Sequence, residues 1–77
     1  MEAETFERSL RAFARRTPFQ PFMVELVSGT RLLVEHPEAL VFQSRVAVYF
    51  HKDSEITHFD NNSVTRMTTD IDATTAK

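Results

Sequence analysis

Between Phe22 and Met67, short apolar stretches alternate with a period of two and are separated by polar or proline-bearing breaks. That pattern calls for short antiparallel strands joined by turns. In residues 22–27, Phe22, Val24 and Leu26 share one face, opposite Met23, Glu25 and Val27. Ser28-Gly29 is the turn, and Gly29 is the only glycine in the chain, so it is expected at positive φ. Residues 30–35 form the next strand, with Leu32 and Val34 alternating, and His36-Pro37-Glu38 breaks it. Residues 38–41 read as a short turn or strand. Residues 45–51 are the clearest strand, with Val46, Val48 and Phe50 expected on the core face. The polar turn 52–55 leads to a strand at 56–60. Asn61-Asn62-Ser63 is a loop or a single 3₁₀ turn, and residues 64–67 close the meander.

The N-terminal segment has a different period. Phe6, Leu10 and Phe13 fall on one face of a helix predicted over residues 2–16. Glu2, Glu4 and Glu7 precede Arg11, Arg15 and Arg16, the order that suits a helix dipole. Glu4 with Arg8 and Glu7 with Arg11 are spaced as i,i+4 pairs. Thr17-Pro18 ends the helix. Pro18-Phe19-Gln20-Pro21-Phe22 then reads as a rigid connector pinned by its phenylalanines. No internal repeat is visible in the sequence.

With 77 residues the chain is one domain. It is small enough to be marginal as a monomer. It has no cysteine, which excludes disulfides and thiolate metal sites. No apolar stretch approaches the roughly 20 residues that span a bilayer. The N-terminus has no apolar h-region and does not read as a signal peptide, so a cytoplasmic location is expected. A net charge of −2 gives no global drive toward nucleic acid or anionic lipid. Seven Phe and one Tyr, with no Trp, point to a phenylalanine core.

The combination of Pro18-Phe19-Gln20-Pro21-Phe22, Gly29, His36-Pro37-Glu38 and Asp60 resembles a family of short uncharacterised bacterial proteins. The likeness covers about residues 6–67. After Asp60 this chain has Asn61-Asn62 where that pattern has two apolar residues. The resemblance implies no particular activity. More distantly, a helix followed by five bent strands is similar to the Sm-like barrel of the bacterial RNA chaperone Hfq. The Tyr-Lys-His RNA motif of that family has no counterpart, because the corresponding region reads His58-Phe59-Asp60. No RNA-binding residues carry over.

The fold expected is therefore α+β. One N-terminal helix packs on a bent antiparallel sheet of about five strands, an SH3-like or Sm-like small barrel over residues 1–67, followed by a disordered tail at 68–77. The expected core is Phe6, Leu10, Phe13, Phe22, Val24, Leu26, Leu32, Val34, Val46, Val48, Phe50, Phe59 and Val64. On this reading, Val48→Asp buries an unpaired charge.

Three groups of residues bear on function. Arg8, Arg11, Arg15 and Arg16 form a basic helix face that could bind an acidic partner, RNA or DNA. If residues 52–55 form a four-residue hairpin loop, Tyr49, His51, His58 and Asp60 share one polar sheet face. There His51, His58 and Asp60 could bind a divalent metal and support hydrolysis. Met23, Val27 and Leu33 could form a second apolar surface that supports self-association. No GxSxG, P-loop, dinucleotide fingerprint or HExxH is present. No catalytic residue, metal or cofactor is assigned. The expectation is a non-catalytic module that self-associates and binds a protein partner, with nucleic-acid binding as the alternative and a metal-dependent hydrolase as the next.

Overall fold

The computed structural model describes residues 1–70. Among these residues a single α-helix, α1 (Ala3–Ala14), precedes six strands: β1 (Phe22–Leu26), β2 (Arg31–Val34), β3 (Leu40–Gln43), β4 (Val46–Phe50), β5 (Ile56–Asp60) and β6 (Val64–Thr68). The class is α+β, as expected. The strands form two antiparallel three-stranded sheets, β2-β1-β6 and β3-β4-β5, rather than one bent sheet of five. Two 3₁₀ turns redirect the chain. Pro37–Ala39 takes it from the first sheet to the second, and Asn61–Ser63 takes it back. The first has proline at its start, where the missing N–H costs nothing. Thr68, expected in the tail, belongs to β6. Of the tail, residues 71–77 lie outside the described residues.

The two halves share one topological plan that the sequence hides. Each is a hairpin, a 3₁₀ turn and a third strand that pairs with the other half. The registers correspond as well. Phe22↔Val34 in β1–β2 is matched by Ala47↔Phe59 in β4–β5, and Val24↔Leu32 by Tyr49↔Thr57.

The β1–β2 and β4–β5 hairpin loops are also of one kind. In the first, the Gly29 N–H donates to Leu26 O and the Leu26 N–H to Thr30 O. In the second, Ser54 donates to His51 O and His51 to Glu55 O. This is a three-residue loop whose last residue is left-handed. Gly29 has φ 94° and Ser54 has φ 76°. A Cβ added at Gly29 would meet no atom within 4 Å, so substitution there costs only conformational energy. Gly29→Ala is expected to lose about 1 kcal/mol. Ser54→Gly is expected to gain about 0.5 kcal/mol, since the freer unfolded chain offsets part of the relieved strain. Urea midpoints moving in the same direction would contradict this account.

The core lies between the sheets and under α1. Phe6, Leu10, Phe22, Val24, Leu32, Val34, Leu40, Ala47, Tyr49, Phe59 and Val64 are buried there, with Phe13, Phe19, Leu26, Phe42 and Met67 packed at its margin. Phe6 meets Phe59 edge to face at 6.0 Å, and Phe13 stacks on Phe22 at 4.9 Å. These pairs anchor α1 to both sheets, because Phe59 lies in β5 and Phe22 in β1. The helix runs from an N-cap at Glu2 and is capped at Arg15, shorter than residues 2–16. Glu7 and Arg11 form their ion pair at 3.1 Å.

One expectation about the core is overturned. Val46 and Phe50 are exposed and Val48 is half-buried, while Ala47 and Tyr49 point inward. Residues 46–50 are apolar on both faces, so alternation cannot choose between them. The neighbouring strands choose. The observed register sets Val46 beside Gln43 and Asp60, and Val48 beside Val41 and His58. Turning that face inward would bury an amide, a histidine and a carboxylate. The inward face instead carries the row Phe42–Ala47–Phe59, in which a small residue makes room for two rings. Tyr49 keeps its ring in the core and its hydroxyl accepts from the N–H groups of Glu35 (3.2 Å) and His36 (3.4 Å).

Candidate functional site

The outer face of the second sheet is the least expected surface of the molecule. Its side chains come from alternate positions on β3, β4 and β5. One row is Gln43, Val46 and Asp60, the next is Val41, Val48 and His58, and the last holds Phe50 and Ile56. Val41 is 57 % exposed, Val46 56 %, Ile56 52 % and Phe50 47 %. With the half-buried Val48 they form a continuous apolar patch rather than scattered single residues. A shallow groove of about 530 Å³ lies along its β5 side, lined in part by Val46, Val48, His58 and Asp60.

The first sheet treats the corresponding positions differently. Where the second sheet pairs Phe50 with Ile56, the first pairs Glu25 with Arg31. Arg66 Nε donates to Glu25 Oε1 at 2.9 Å, and Arg31 Nε lies 3.9 Å from Glu25 Oε2. At this row that outer face is ion-paired and suited to water. Of the apolar surface expected from Met23, Val27 and Leu33, Met23 and Leu33 do pair across β1 and β2, but the pair is not open to water. Met23 is buried, Leu33 is half-buried, and exposed Val27 sits in the hairpin loop rather than a strand.

Tyr49, His51, His58 and Asp60 do not share a face. The three-residue loop pairs Phe50 with Ile56 and Tyr49 with Thr57, one residue away from the register of a four-residue loop. Tyr49 is therefore in the core, while His58 and Asp60 face outward. His51 Nε2 lies 2.7 Å from Thr57 Oγ1, and its ring meets Tyr49 edge to face at 5.0 Å. Asp60 caps the second 3₁₀ turn. Its Oδ1 accepts from the Ser63 N–H at 3.0 Å, while the Asp60 N–H donates to Ser63 Oγ at 3.0 Å. Asn61 donates through Nδ2 to the Met1 carbonyl at 3.0 Å and so ties Met1 to this turn. Among the described residues, no three His, Cys, Asp or Glu side chains come together as metal ligands.

A second, smaller cleft of about 190 Å³ lies where β2 ends, lined by Leu33, Glu35, His36, Tyr49, His51, Lys52 and Asp53. The Tyr49 hydroxyl there is already occupied by two backbone N–H groups, and His36 Nδ1 faces Glu38 at 3.7 Å. Arg8, Arg11, Arg15 and Arg16 are all exposed, and Arg11 is held by Glu7.

The outer patch follows once the two hairpin turns are known to correspond. Aligning the two hairpins on Gly29 and Ser54 places Ala47 and Tyr49 at the positions of Phe22 and Val24, which face the core. The signal was missed because the hairpins share turn geometry and not residues. Among the described residues, no helix is long and apolar enough to cross a membrane. Comparison with family models, curated proteins and solved structures returns no match to this chain.

Proposed function

We propose that this protein is a small non-catalytic interaction module whose docking surface is the outer face of β3-β4-β5. The observation that carries the reading is the patch of Val41, Val46, Val48, Phe50 and Ile56, left open to water on a domain whose other sheet places the ion-paired Glu25, Arg31 and Arg66 on its outer face. Apolar patches of this kind, bordered by polar residues, are characteristic of protein-binding surfaces. The border here is Gln43, His58 and Asp60. The arginine face of α1 supports nucleic-acid binding less well. Glu4 and Glu7 interleave with Arg8 and Arg11, and no exposed aromatic accompanies them for base stacking.

The test is a combined Val46→Thr, Phe50→Ser and Ile56→Thr variant. Because these side chains stand outside the core, its melting temperature is expected to stay within a few degrees of wild type. Binding of an apolar fluorescent dye should drop severalfold. A collapse of the melting temperature, or unchanged dye binding, would rule the surface out.

A further inference from the structure

Resting on that reading, we infer that the occupant of the β3-β4-β5 face is a second copy of this chain, packed face to face with β4 over β4 in a symmetric dimer. Three observations favour a copy of itself. First, the centre of the patch carries no charge. Val41, Val46, Val48, Phe50 and Ile56 are apolar, and the ionisable groups, His58 and Asp60, lie on β5 at one margin. A symmetric interface sets each patch against itself, so a neutral centre avoids opposing like charges. A strongly charged partner would find no countercharge there.

Second, among the described residues nothing covers the face, and Val41, Val46, Phe50 and Ile56 stand open to water there. The apolar face of α1 is already committed, with Phe6 and Leu10 in the core.

Third, the area suits a dimer. An interface of about a tenth of the 5071 Å² surface, the usual share for a small protein, would bury about 1,000 Å² over two copies, the lower limit for a specific interface. Sheets packed in this way lie about 10 Å apart with interdigitated side chains. The predicted dimer is thus concentration-dependent rather than obligate.

Sedimentation velocity from micromolar to near-millimolar protein tests this. Wild type is expected to shift from one 8.9 kDa chain toward twice that mass as concentration rises. Val46→Lys, and separately Ile56→Lys, should weaken the dimer at least tenfold while keeping the wild-type melting temperature. On dilution, amide signals of residues 41, 46, 48, 50 and 56 should move together. Wild type that stays monomeric overturns the proposal, as does a dimer that both lysine variants preserve. A monomer whose dye binding still falls in the triple variant would sink the second copy but leave the docking surface standing. If that triple variant keeps full dye binding, the docking surface itself fails.

Discussion

Ala47→Asp is expected to abolish the folded state, whereas Val48→Asp, at the next residue, should leave it folded. Ala47 is 1 % exposed and lies between Phe42 and Phe59. A carboxylate there has neither water nor a cation. Its penalty is several kcal/mol, against a total stability of about 4–12 kcal/mol for a domain this size. Protonation would lessen the charge cost, but the larger side chain would still push two rings apart. Val48 faces outward beside Val41 and His58. An Asp there forfeits a half-buried valine and some strand propensity, within about 2 kcal/mol. Urea unfolding of the two variants reads the difference directly. If Val48→Asp is the one that unfolds, β4 is facing the other way and the proposed docking surface is core.

Phe6→Ala is expected to cost about 3–5 kcal/mol, the range for emptying a buried aromatic site. Phe6 is completely buried and edge-on to Phe59. It also anchors α1, whose 12 residues are too few to hold a helix in water without tertiary support. The far-UV helical signal should therefore fall together with the urea midpoint, in one transition. A loss below about 1 kcal/mol would mean that Leu10 and the Phe13–Phe22 stack hold the helix by themselves. A helix that melts separately from the strands would mean that α1 is an accessory to the sheets.

The two experiments address different parts of the structure. Phe6 tests the union of helix and sheets, which was legible in the sequence. Its spacing with Leu10 and Phe13 allows one apolar stripe, and that stripe had to be covered. Ala47 tests the facing of a strand, which was not legible. Residues 46–50 are all apolar, so their own pattern favours neither face.

Local chemistry was sufficient wherever one choice was much cheaper than the others. The only glycine sits at positive φ because side chains resist that conformation. The break at Pro37 is a 3₁₀ turn because proline cannot donate to a ladder. Phe22, Val24, Leu32 and Val34 face inward because the alternate face carries Glu25, Arg31 and Glu35, which are costly to bury.

Tertiary structure decided what these local preferences left equal. Ser54 takes the left-handed position that glycine takes in the first hairpin, and this makes a three-residue loop. A single residue of register then turns every side chain of the following strand to the opposite face. That step separated Tyr49 and His51 from His58 and Asp60 and dissolved the polar cluster. Asp60 became the cap of a turn. The same register left Val46, Phe50 and Ile56 in water, because the alternative would bury Gln43, His58 and Asp60. The exposed patch thus follows from the needs of neighbouring strands, and no stretch of β4 read alone contains them.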